Sequence, residues 1–530
     1  MPEHHRIKKL LIANRGEIAR RINRAAAAMG IETVAVVSDP DRGSLAAQEA
    51  TECYELGGST ARESYLDQGK VLEAARRTGC DALHPGYGFL SEDGDFAERA
   101  IASGLTFVGP SPKSIRALGV KTAARDAVSR AGVPITPGSD GGKSDSELAS
   151  AAEVIGFPVI IKAAAGGGGR GMRIVHAPAE MRESLERARA EALKNFGSES
   201  VYIEKFIVEP RHVEVQLFGD KHGNLVHFGT RDCSAQRRHQ KLVEEGPAPF
   251  LDPETREKIH DAAIRAARSV GYYNAGTAEF LVRGKDFYFL EINTRIQVEH
   301  PVTEMVTGVD LVQLQLRVAM GEKLPMRQDE ISFNGHAIEL RINAEDVMEG
   351  FRPAVGTIEQ WTRGPATGEV REECGYRPGD SIPPFYDSLM SKVIVHGSSR
   401  ADALYKTFQF LKGYRVTGVP TTIPFHAWIL ANREFQERGI DIGYVERMFK
   451  REDAERALAL LASDPSHRGA GFTETVPGAN GDPSVQLTHE EGGTFLAQPL
   501  RREGSLAESA SWRRAASRAA ALRLGVSTKG

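Results

Sequence analysis

The sequence has little of what marks a secreted or membrane-bound protein. Only four cysteines occur in 530 residues, widely spaced and without a CxxC pair. This usage argues against a disulfide scaffold and favours a reducing compartment. No run approaches the ~20 apolar residues that cross a bilayer, and the N-terminus lacks the pattern of a signal peptide. We therefore expect a soluble, cytoplasmic protein.

The sequence also lacks an excess of charge of either sign. Its 71 acidic and 67 basic residues give a net charge of −4, so we expect no general attraction to nucleic acid or anionic membranes. The densest basic cluster, RDCSAQRRHQK at residues 231–241, has no Phe, Tyr or Trp to stack on bases and is followed by two glutamates. A nucleic-acid patch is the general interpretation of such a run. A compact site for phosphate or bicarbonate fits this one better.

The length and the order of segments predict several domains. A chain of 530 residues exceeds one ordinary core. Over the first hundred residues, short apolar strands at 9–13, 33–37 and 81–83 alternate with helices. This pattern predicts an open parallel sheet with helices on both faces. Such sheets bind ligands at the loops that follow their strands, here HPGYGF at 84–89.

The middle of the chain contains a glycine-rich run. An apolar strand at residues 157–162 ends in Lys162 and leads into AAAGGGGRGM. Backbone without side chains can close over phosphates with its amides, although a linker or hinge explains such a run equally well. No GK[ST] follows, so it is not a Walker A loop. We predict helices at about 114–132 and 253–270 and strand-rich sequence through 201–214 and 225–229.

The last seventy or so residues differ from the rest. Residues 464–511 are rich in Gly, Ser, Pro and Glu without periodicity, which predicts disorder or a loosely held linker. Residues 512–524, WRRAASRAAALRL, are compatible with a short basic helix. We favour a solvated tail over docking onto a partner subunit.

A hairpin at residues 278–293 is the most informative segment. If its pairing centres on Lys285, Glu279 lies opposite Glu291. Two carboxylates about 5 Å apart repel by roughly 3 kcal/mol at an effective dielectric near 20, so we expect a cation between them. Oxygen ligands on a rigid hairpin suit Mg²⁺ or Mn²⁺ shared with nucleotide phosphates.

The alternation of residue types continues beyond the hairpin. Extended backbone would place five polar side chains on one face, with a solvated, salt-bridged strand as the alternative interpretation. An irregular loop after Asn293 would weaken this argument. The five are Glu291, Asn293, Arg295, Gln297 and Glu299.

At this point the chain resembles a known family, biotin carboxylase, in the ATP-grasp superfamily. The resemblance covers residues 8–449 and rests on KKLLIANRGEIA, HPGYGFLSE, KAAAGGGGRGM, RDCSAQRRHQK, EINTRIQVEHPVTE and ELRINAED. The fourth and fifth motifs together are highly specific. Ala235, Gly246 and Ser391 depart from the commoner choices, none at a core motif position.

The resemblance implies a fold and domain order. It implies an α/β fold with α+β elements, in which a Rossmann-like parallel sheet comes first, at residues 1–120. An ATP-grasp domain would follow at 121–334, with a mobile lid at about 134–206. A mixed C-terminal domain would occupy 335–450 and a low-complexity tail 451–530.

The resemblance also implies site residues. Glu299 would be the general base, Arg341 would bind the ureido oxygen of biotin, and Tyr87 would lie near that pocket. Bicarbonate would be contacted by Lys241, Arg295, Gln297 and Val298, and the metal ions by Glu279, Glu291 and Asn293. ATP would be held by these two glutamates and by Lys121, Lys162, Gly168, Gly169, Glu204, Lys205, Phe206, Ile207, His212 and His239.

The implied cofactors and partners follow. The enzyme would use ATP, Mg²⁺ or Mn²⁺, and biotin on a separate chain, because no EAMKM-like segment is present and nothing after residue 449 is long enough for a carboxyltransferase. The expected partners are a biotin carboxyl carrier protein, carboxyltransferase subunits and a second copy of the chain. Acetyl-CoA, for fatty acid biosynthesis, is the default acceptor, with propionyl-CoA and pyruvate open. Another ATP-grasp ligase and a catalytically silent nucleotide-binding subunit are the competing interpretations.

Overall fold

The computed structural model describes residues 6–139, 141–164, 172–365 and 368–462, together with three later strands. Across these stretches, no helix combines the length and the apolar character needed to cross a membrane.

A parallel sheet forms the N-terminal part. Its elements are β1 (Lys9–Ile12), α1 (Gly16–Ala28), β2 (Glu32–Val37), α2 (Leu45–Glu49), β3 (Glu52–Glu55), α3 (Gln68–Thr78), β4 (Ala82–His84), α4 (Gly94–Ala102), β5 (Thr106–Phe107) and α5 (Pro112–Gly119). The strand order is β3-β2-β1-β4-β5. Leu10 and Leu11, adjacent on β1, pack into two different apolar clusters, because helices cover both faces of the sheet. This confirms the predicted open parallel sheet.

A small sheet with three helices comes next. Its elements are α6 (Lys121–Arg130), α7 (Asp145–Ile155), β6 (Val159–Ala163), β7 (Arg173–Val175), α8 (Met181–Phe196) and β8 (Val201–Lys205). The order is β7-β6-β8, all antiparallel. The backbone N–H of Phe289 donates to Pro134 and that of Lys205 to Pro137, so the segment between α6 and α7 ties this sheet to the hairpin that carries the acid pair.

One eight-stranded antiparallel sheet forms the centre. Its first strands and helices are β9 (Arg211–Gly219), β10 (Leu225–Arg237), β11 (Gln240–Gly246), α9 (Pro253–Ser269), β12 (Asn274–Arg283), β13 (Asp286–Asn293), α10 (His300–Thr307) and α11 (Leu311–Ala319). Helix α9 packs its buried alanines and Ile259 against the apolar side chains of β9 and β12.

The C-terminal part completes the same sheet. Its elements are β14 (His336–Asn343), β15 (Glu345–Asp346), β16 (Arg352–Pro353), β17 (Gly356–Thr357), β18 (Gln360–Thr362), β19 (Val370–Cys374), β20 (Ser381–Ile382), β21 (Leu389–Gly397), α12 (Arg400–Gly413), β22 (Arg415–Thr417), α13 (Ile423–Ala431), α14 (Arg433–Glu437), α15 (Tyr444–Met448) and α16 (Arg451–Ala462). The order β13-β12-β9-β10-β11-β14-β21-β19 runs across residue 335, where the sequence places a domain boundary. That boundary stays a prediction.

The structure corrects three expectations. The helix predicted at 114–132 is two helices, α5 and α6, which Val120 separates. The strand predicted to end at residue 229 continues to Arg237. In the tail, where no regular structure was expected, β23 (Thr473–Val476), β24 (Val485–His489) and β25 (Phe495–Pro499) pair into a small antiparallel sheet. The possible helix at 512–524 lies outside the described residues.

Candidate active site

Two acidic side chains face each other on the β12–β13 hairpin. Glu279 is the register partner of Glu291, as the sequence predicts. The prediction that the pairing centres on Lys285 was wrong, because the turn pairs Arg283 with Asp286. That register alone would set Glu279 opposite Leu290. A one-residue bulge at Leu290 brings Glu291 into place.

The acid pair extends onto a third strand. Glu279 also pairs with Glu214 on β9, and the Glu214 side chain is fully buried. A row of buried carboxylates requires compensating positive charge. Glu214 was not predicted as a site residue, although His212, Glu214 and Gln216 alternate with apolar residues along β9 and this pattern places all three on one face.

Lys241 on β11 supplies this charge. Its Nζ lies 2.7 Å from Glu214 Oε2, 2.9 Å from Glu279 Oε1 and 2.6 Å from Glu299 Oε1. Burial would lower the pKa of Lys241, but the neighbouring thiol and carboxylates outweigh burial and hold that pKa well above its usual value. Arg231, buried on β10, donates to the other oxygen of Glu214 at 2.5 Å. No sequence pattern indicated this role for Arg231.

Glu299 lies between two cations. Lys241 contacts one carboxylate oxygen, and Arg341 Nη2 donates to the other at 2.9 Å. Arg341 Nε also donates to Glu244 at 2.5 Å, a partner that the sequence did not indicate. Burial alone would raise the pKa of Glu299, but the charges of Lys241, Arg341 and Arg231 hold it well below its usual range. Glu299 is therefore an ionised carboxylate.

The backbone beyond Asn293 does not stay extended, so the argument from a shared strand face fails, but the side chains still converge. Strand β13 ends at Asn293, and an irregular loop leads to α10. Asn293 Nδ2 and Gln297 Nε2 both donate to Glu279 Oε1, at 2.8 and 3.1 Å. Arg295 donates to Gln297 Oε1 at 2.7 Å, and its Nε donates to Glu92 at 3.0 Å. Glu92, the last residue of HPGYGFLSE, was not predicted to take part.

Several residues predicted to hold ATP lie on the small sheet. Lys162 on β6 donates to Glu204 on β8 at 2.5 Å, and Arg125 lies 2.6 Å from the other oxygen of Glu204. Lys205 Nζ donates instead to two backbone carbonyls just before β6, both at 2.9 Å. The ammonium of Lys205 is thus directed to the backbone of the small sheet.

The other predicted ATP residues are distributed more widely. His212 Nε2 lies 3.2 Å from Glu279 Oε2; burial would lower the pKa of His212, but the charge of Glu279 outweighs it and raises that pKa. His239 is exposed at the turn between β10 and β11. Phe206 and Ile207 directly follow β8. Gly168, Gly169 and the side chain of Lys121 lie outside what the structure describes.

Tyr87 lies in the loop after β4. Asn14 Nδ2 donates to the backbone carbonyls of Pro85 and Tyr87, at 2.7 Å each. Gly86 has φ +64°, and a Cβ there would lie 2.9 Å from Asn14 Nδ2, so this turn requires glycine. Tyr87 Oη donates to Glu17 on α1. Residues of the motif KKLLIANRGEIA therefore hold the loop formed by the motif HPGYGFLSE.

The oxygen atoms of Glu279 and its neighbours are suitable ligands for a divalent cation. Carboxylate and amide oxygens are the ligands that Mg²⁺ and Mn²⁺ prefer, and Glu279 is flanked by Glu291 and Asn293. In the described part of the chain, two trios place their potential ligand atoms within 4.8 Å of one another. They are His212, Glu214 and Glu279, and Glu214, Cys233 and Glu299.

Three family models match the chain in sequence order. They are "Biotin carboxylase, N-terminal domain" at residues 6–115, "Carbamoyl-phosphate synthase L chain, ATP binding domain" at 120–327 and "Biotin carboxylase C-terminal domain" at 339–447. Biotin carboxylase 1 of Bacillus subtilis is 48% identical over 443 residues, which cover 83% of this chain and 98% of the relative.

The chain belongs to the biotin carboxylase family. The family consists of ATP-dependent ligases, and its mixed α/β fold agrees with the expected one. The biotin carboxylase domain of Hydrogenobacter thermophilus 2-oxoglutarate carboxylase, solved as a dimer with MgADP, ADP and bicarbonate, has a TM-score of 0.80 and 45% identity. That match covers 84% of this chain and 98% of the other.

Longer relatives also match this biotin carboxylase chain. The mitochondrial methylcrotonoyl-CoA carboxylase subunit alpha of Oryza sativa subsp. japonica is 49% identical over 444 residues. The match covers 83% of this chain but only 60% of that relative. The chain thus spans about six-tenths of the length of such subunits, and the names of its relatives refer to different acceptors.

Proposed function

We propose that the chain carboxylates biotin, carried on another protein, with ATP and bicarbonate. The observation that carries this proposal is the placement of Glu299. This buried carboxylate contacts Lys241 at 2.6 Å and Arg341 at 2.9 Å. In the proposed reaction Lys241 would bind bicarbonate and Arg341 would bind biotin. A general base, an anion-binding ammonium and a directional guanidinium meet at one point.

Bicarbonate would be held by Lys241, Arg295, Gln297 and the backbone of Val298. Bicarbonate is a poor nucleophile until it loses its proton, and Glu299 is ionised and able to accept that proton. A bound anion would compete with Glu299 for Lys241. Because Lys241 lowers the pKa of Glu299, any loosening of their contact makes Glu299 a stronger base at the moment when it is needed.

The deprotonated bicarbonate would attack the γ-phosphate of ATP, giving carboxyphosphate and ADP. Lys162 and His212 lie at positions suited to the phosphates. Glu279, Glu291 and Asn293 would hold Mg²⁺ or Mn²⁺, which neutralises the charge of the phosphates when bound. Lys121, Gly168, Gly169, Glu204, Lys205, Phe206, Ile207 and His239 remain proposed contacts of the nucleotide.

Carboxyphosphate would then break into CO₂ and phosphate. Phosphate takes the N1′ proton of biotin, and the ureido enolate attacks CO₂. Arg341 would stabilise the enolate oxygen, because a guanidinium stays charged and donates directionally. Tyr87 would lie on the biotin side of the site.

The partners and the final acceptor belong to the same proposal. We infer a carrier protein and carboxyltransferase on other chains, and a homodimer, which the dimeric 2-oxoglutarate carboxylase domain supports. Acetyl-CoA stays the default acceptor. Because relatives of this chain are named for acceptors as different as methylcrotonoyl-CoA and 2-oxoglutarate, we infer that the transferase, rather than this chain, selects the acceptor.

Phosphate release from ATP tests the proposal. We expect release that depends on bicarbonate and rises further when free biotin is added, together with acid-labile ¹⁴C fixed from labelled bicarbonate into biotin. Bicarbonate dependence without fixation into biotin would indicate another ATP-grasp ligase. No release under any mixture would indicate a silent nucleotide-binding subunit.

A variant separates the two halves of the reaction. Arg341→Ala should reduce biotin carboxylation at least about 10-fold more than biotin-independent ATP cleavage, because only the first requires the enolate to be stabilised. Equal losses in the two assays would contradict the role proposed for Arg341.

A further inference from the structure

One buried cation near the site has no part in the mechanism above. Lys392 lies in the middle of β21, and its side chain is 0% exposed. Its Nζ donates to the backbone carbonyl of Val298 at 2.6 Å and lies 3.0 Å from Glu17 Oε1 on α1. An isolated ammonium is costly to bury, so these two partners explain why the charge is tolerated.

Lys392 and Arg341 are register partners on adjacent strands, β21 and β14. Like charges directly opposite each other repel, so each needs its own acceptors. Arg341 takes the carboxylate of Glu299, and Lys392 takes the carbonyl of the preceding residue, Val298. Two neighbouring cations of one rigid sheet therefore hold two consecutive residues of the irregular loop.

The other side of Lys392 faces the N-terminal sheet. Glu17 Oε1 accepts from Tyr87 Oη as well as lying next to Lys392 Nζ, and that Nζ is 6.0 Å from the centroid of the Tyr87 ring. The second oxygen of Glu17 is buried and has no hydrogen-bond donor among the described residues. The contacts of Glu17 with Lys392 and with Tyr87 are thus both made by the same oxygen, Oε1.

A nearby buried acid, Glu339, does not take the place of Glu17 or Val298 as a partner of Lys392. Glu339 on β14 is fully buried, and neither of its oxygens has a hydrogen-bond partner in the described part of the chain. Burial keeps the pKa of Glu339 well above its usual value in spite of the charge of Lys392, which disfavours Glu339 as an ionised partner of that lysine. The charge of Lys392 is therefore directed to Glu17 and Val298.

We propose that Lys392 is a positioning residue that couples the bicarbonate side of the site to the biotin side. It fixes the Val298 backbone beside Glu299 and, through Glu17, the ring of Tyr87. The inference rests on the proposed function, since it assigns these two sides to the two substrates. A purely structural lysine would stabilise the fold without affecting one substrate more than another.

The test compares Lys392→Met with Lys221→Met in the full chain. Methionine keeps the length and apolar body of the side chain but removes the charge. Lys221 is the control for the loss of one lysine charge, because its Nζ also donates to a backbone carbonyl, that of Ala319 at 3.3 Å, and Ala319 is not among the proposed site residues. We expect Lys392→Met to raise the KM for bicarbonate about 10- to 100-fold, the range that corresponds to a charge-assisted hydrogen bond.

Two further readouts distinguish positioning from folding. The KM for ATP should change less than about 2-fold in Lys392→Met, and biotin carboxylation should fall by a larger factor than bicarbonate-dependent ATP cleavage, because Tyr87 is released as well. Lys221→Met should leave all three values unchanged. Equal effects on the ATP, bicarbonate and biotin parameters would overturn the inference.

A second variant covers the case in which Lys392→Met does not fold. Glu17→Gln keeps a hydrogen-bond acceptor for Tyr87 but removes the charge that faces Lys392, and it should raise the KM for biotin at least about 3-fold with the KM for ATP retained. An unchanged biotin KM would contradict the coupling. If the wild-type protein itself fixes no carbon into biotin, the proposed function fails; if it does and both variants behave like wild type, only this inference fails.

Discussion

At the scale of single residues, the site depends on how burial and charge set the protonation of a few carboxyl groups. Glu299, Glu244 and Glu339 are all buried within one small region. The pKa of Glu299 is held low because Lys241 and Arg341 contact it, whereas burial raises the pKa of Glu339, whose oxygens have no hydrogen-bond partner among the described residues. Neighbouring buried glutamates thus differ in pKa according to the groups that contact them.

Glu299→Gln should keep nucleotide binding and lose bicarbonate-dependent ATP cleavage at least about 100-fold, the scale of general-base loss. Glutamine retains the size of the side chain but cannot accept the proton. Nucleotide binding by calorimetry and phosphate release measure the two effects. Glu339→Gln is the control, since it makes the same substitution at a nearby buried glutamate whose pKa is raised by burial and which has no proposed part in the reaction. Most of the turnover remaining in Glu299→Gln would show that another group is the base.

Glu244 should make stability depend on pH. Burial outweighs the nearby Arg341 and raises the pKa of Glu244 from 4.5 to about 7. Between these values the folded protein keeps a proton that the unfolded chain releases, so folding is penalised as the pH rises through this window, by on the order of 3 kcal/mol in total above it.

The variant Glu244→Gln tests this dependence. Its Tm should fall less than that of wild type between pH 5 and pH 8, because the amide has no proton to lose. Differential scanning calorimetry at several pH values measures the difference. Parallel curves for the two proteins would show that Glu244 is ionised throughout.

At the scale of elements, two hairpins position the site through irregular backbone. The bulge at Leu290 sets Glu291 opposite Glu279, and the turn between β10 and β11 precedes Lys241 by two residues. In that turn Arg238 and His239 have φ values of 48° and 63°. This left-handed region is unfavourable for Arg and is favoured by Asn and Gly.

Arg238→Asn should therefore stabilise the protein by roughly 0.5–1 kcal/mol. The Arg238 side chain is exposed, and its ion-pair distance to Glu446 is 4.0 Å, so little is lost with it. A small rise in Tm with unchanged biotin carboxylation is expected. Arg238→Val, with a β-branched side chain in the same conformation, should lower the Tm; a lower Tm for the Asn variant would mean that the turn is not strained.

At the scale of the whole molecule, one continuous sheet joins the acid hairpin to the C-terminal strands. Helix α16 closes the C-terminal core with Ala454, Ala457 and Leu461. The three strands of the tail pair only with one another within the described residues. Stability should therefore depend on the chain up to α16 and not on the residues after it.

Truncation after Ala462 tests this division. We expect biotin carboxylation to be retained and the Tm to shift by less than about 3 °C, since no described core contact is removed. Truncation after Met448 is the comparison, because it also removes the buried side chains of α16, and it should lower the Tm by several times that amount. A large loss in the first truncation would show that the tail supports the fold or the site.

Much of this arrangement follows from local sequence pattern. The parallel N-terminal sheet, the hairpin and the facing of Glu279 and Glu291 are encoded within short segments, because alternation along a strand specifies which side chains share a face. The bulge at Leu290 shows the limit: the pairing was predicted correctly from an incorrect turn, since nothing in the local pattern marks an extra residue.

What the sequence by itself determined is the family, the parallel N-terminal sheet and the hairpin that carries Glu279 and Glu291. Only the tertiary structure decided that Lys241 lies among Glu214, Glu279 and Glu299, and that Lys392 reaches Val298 from a strand 94 residues away. The physical reason is that periodicity fixes the face of each strand, whereas packing of the whole sheet fixes which strands become neighbours and thus which charges meet.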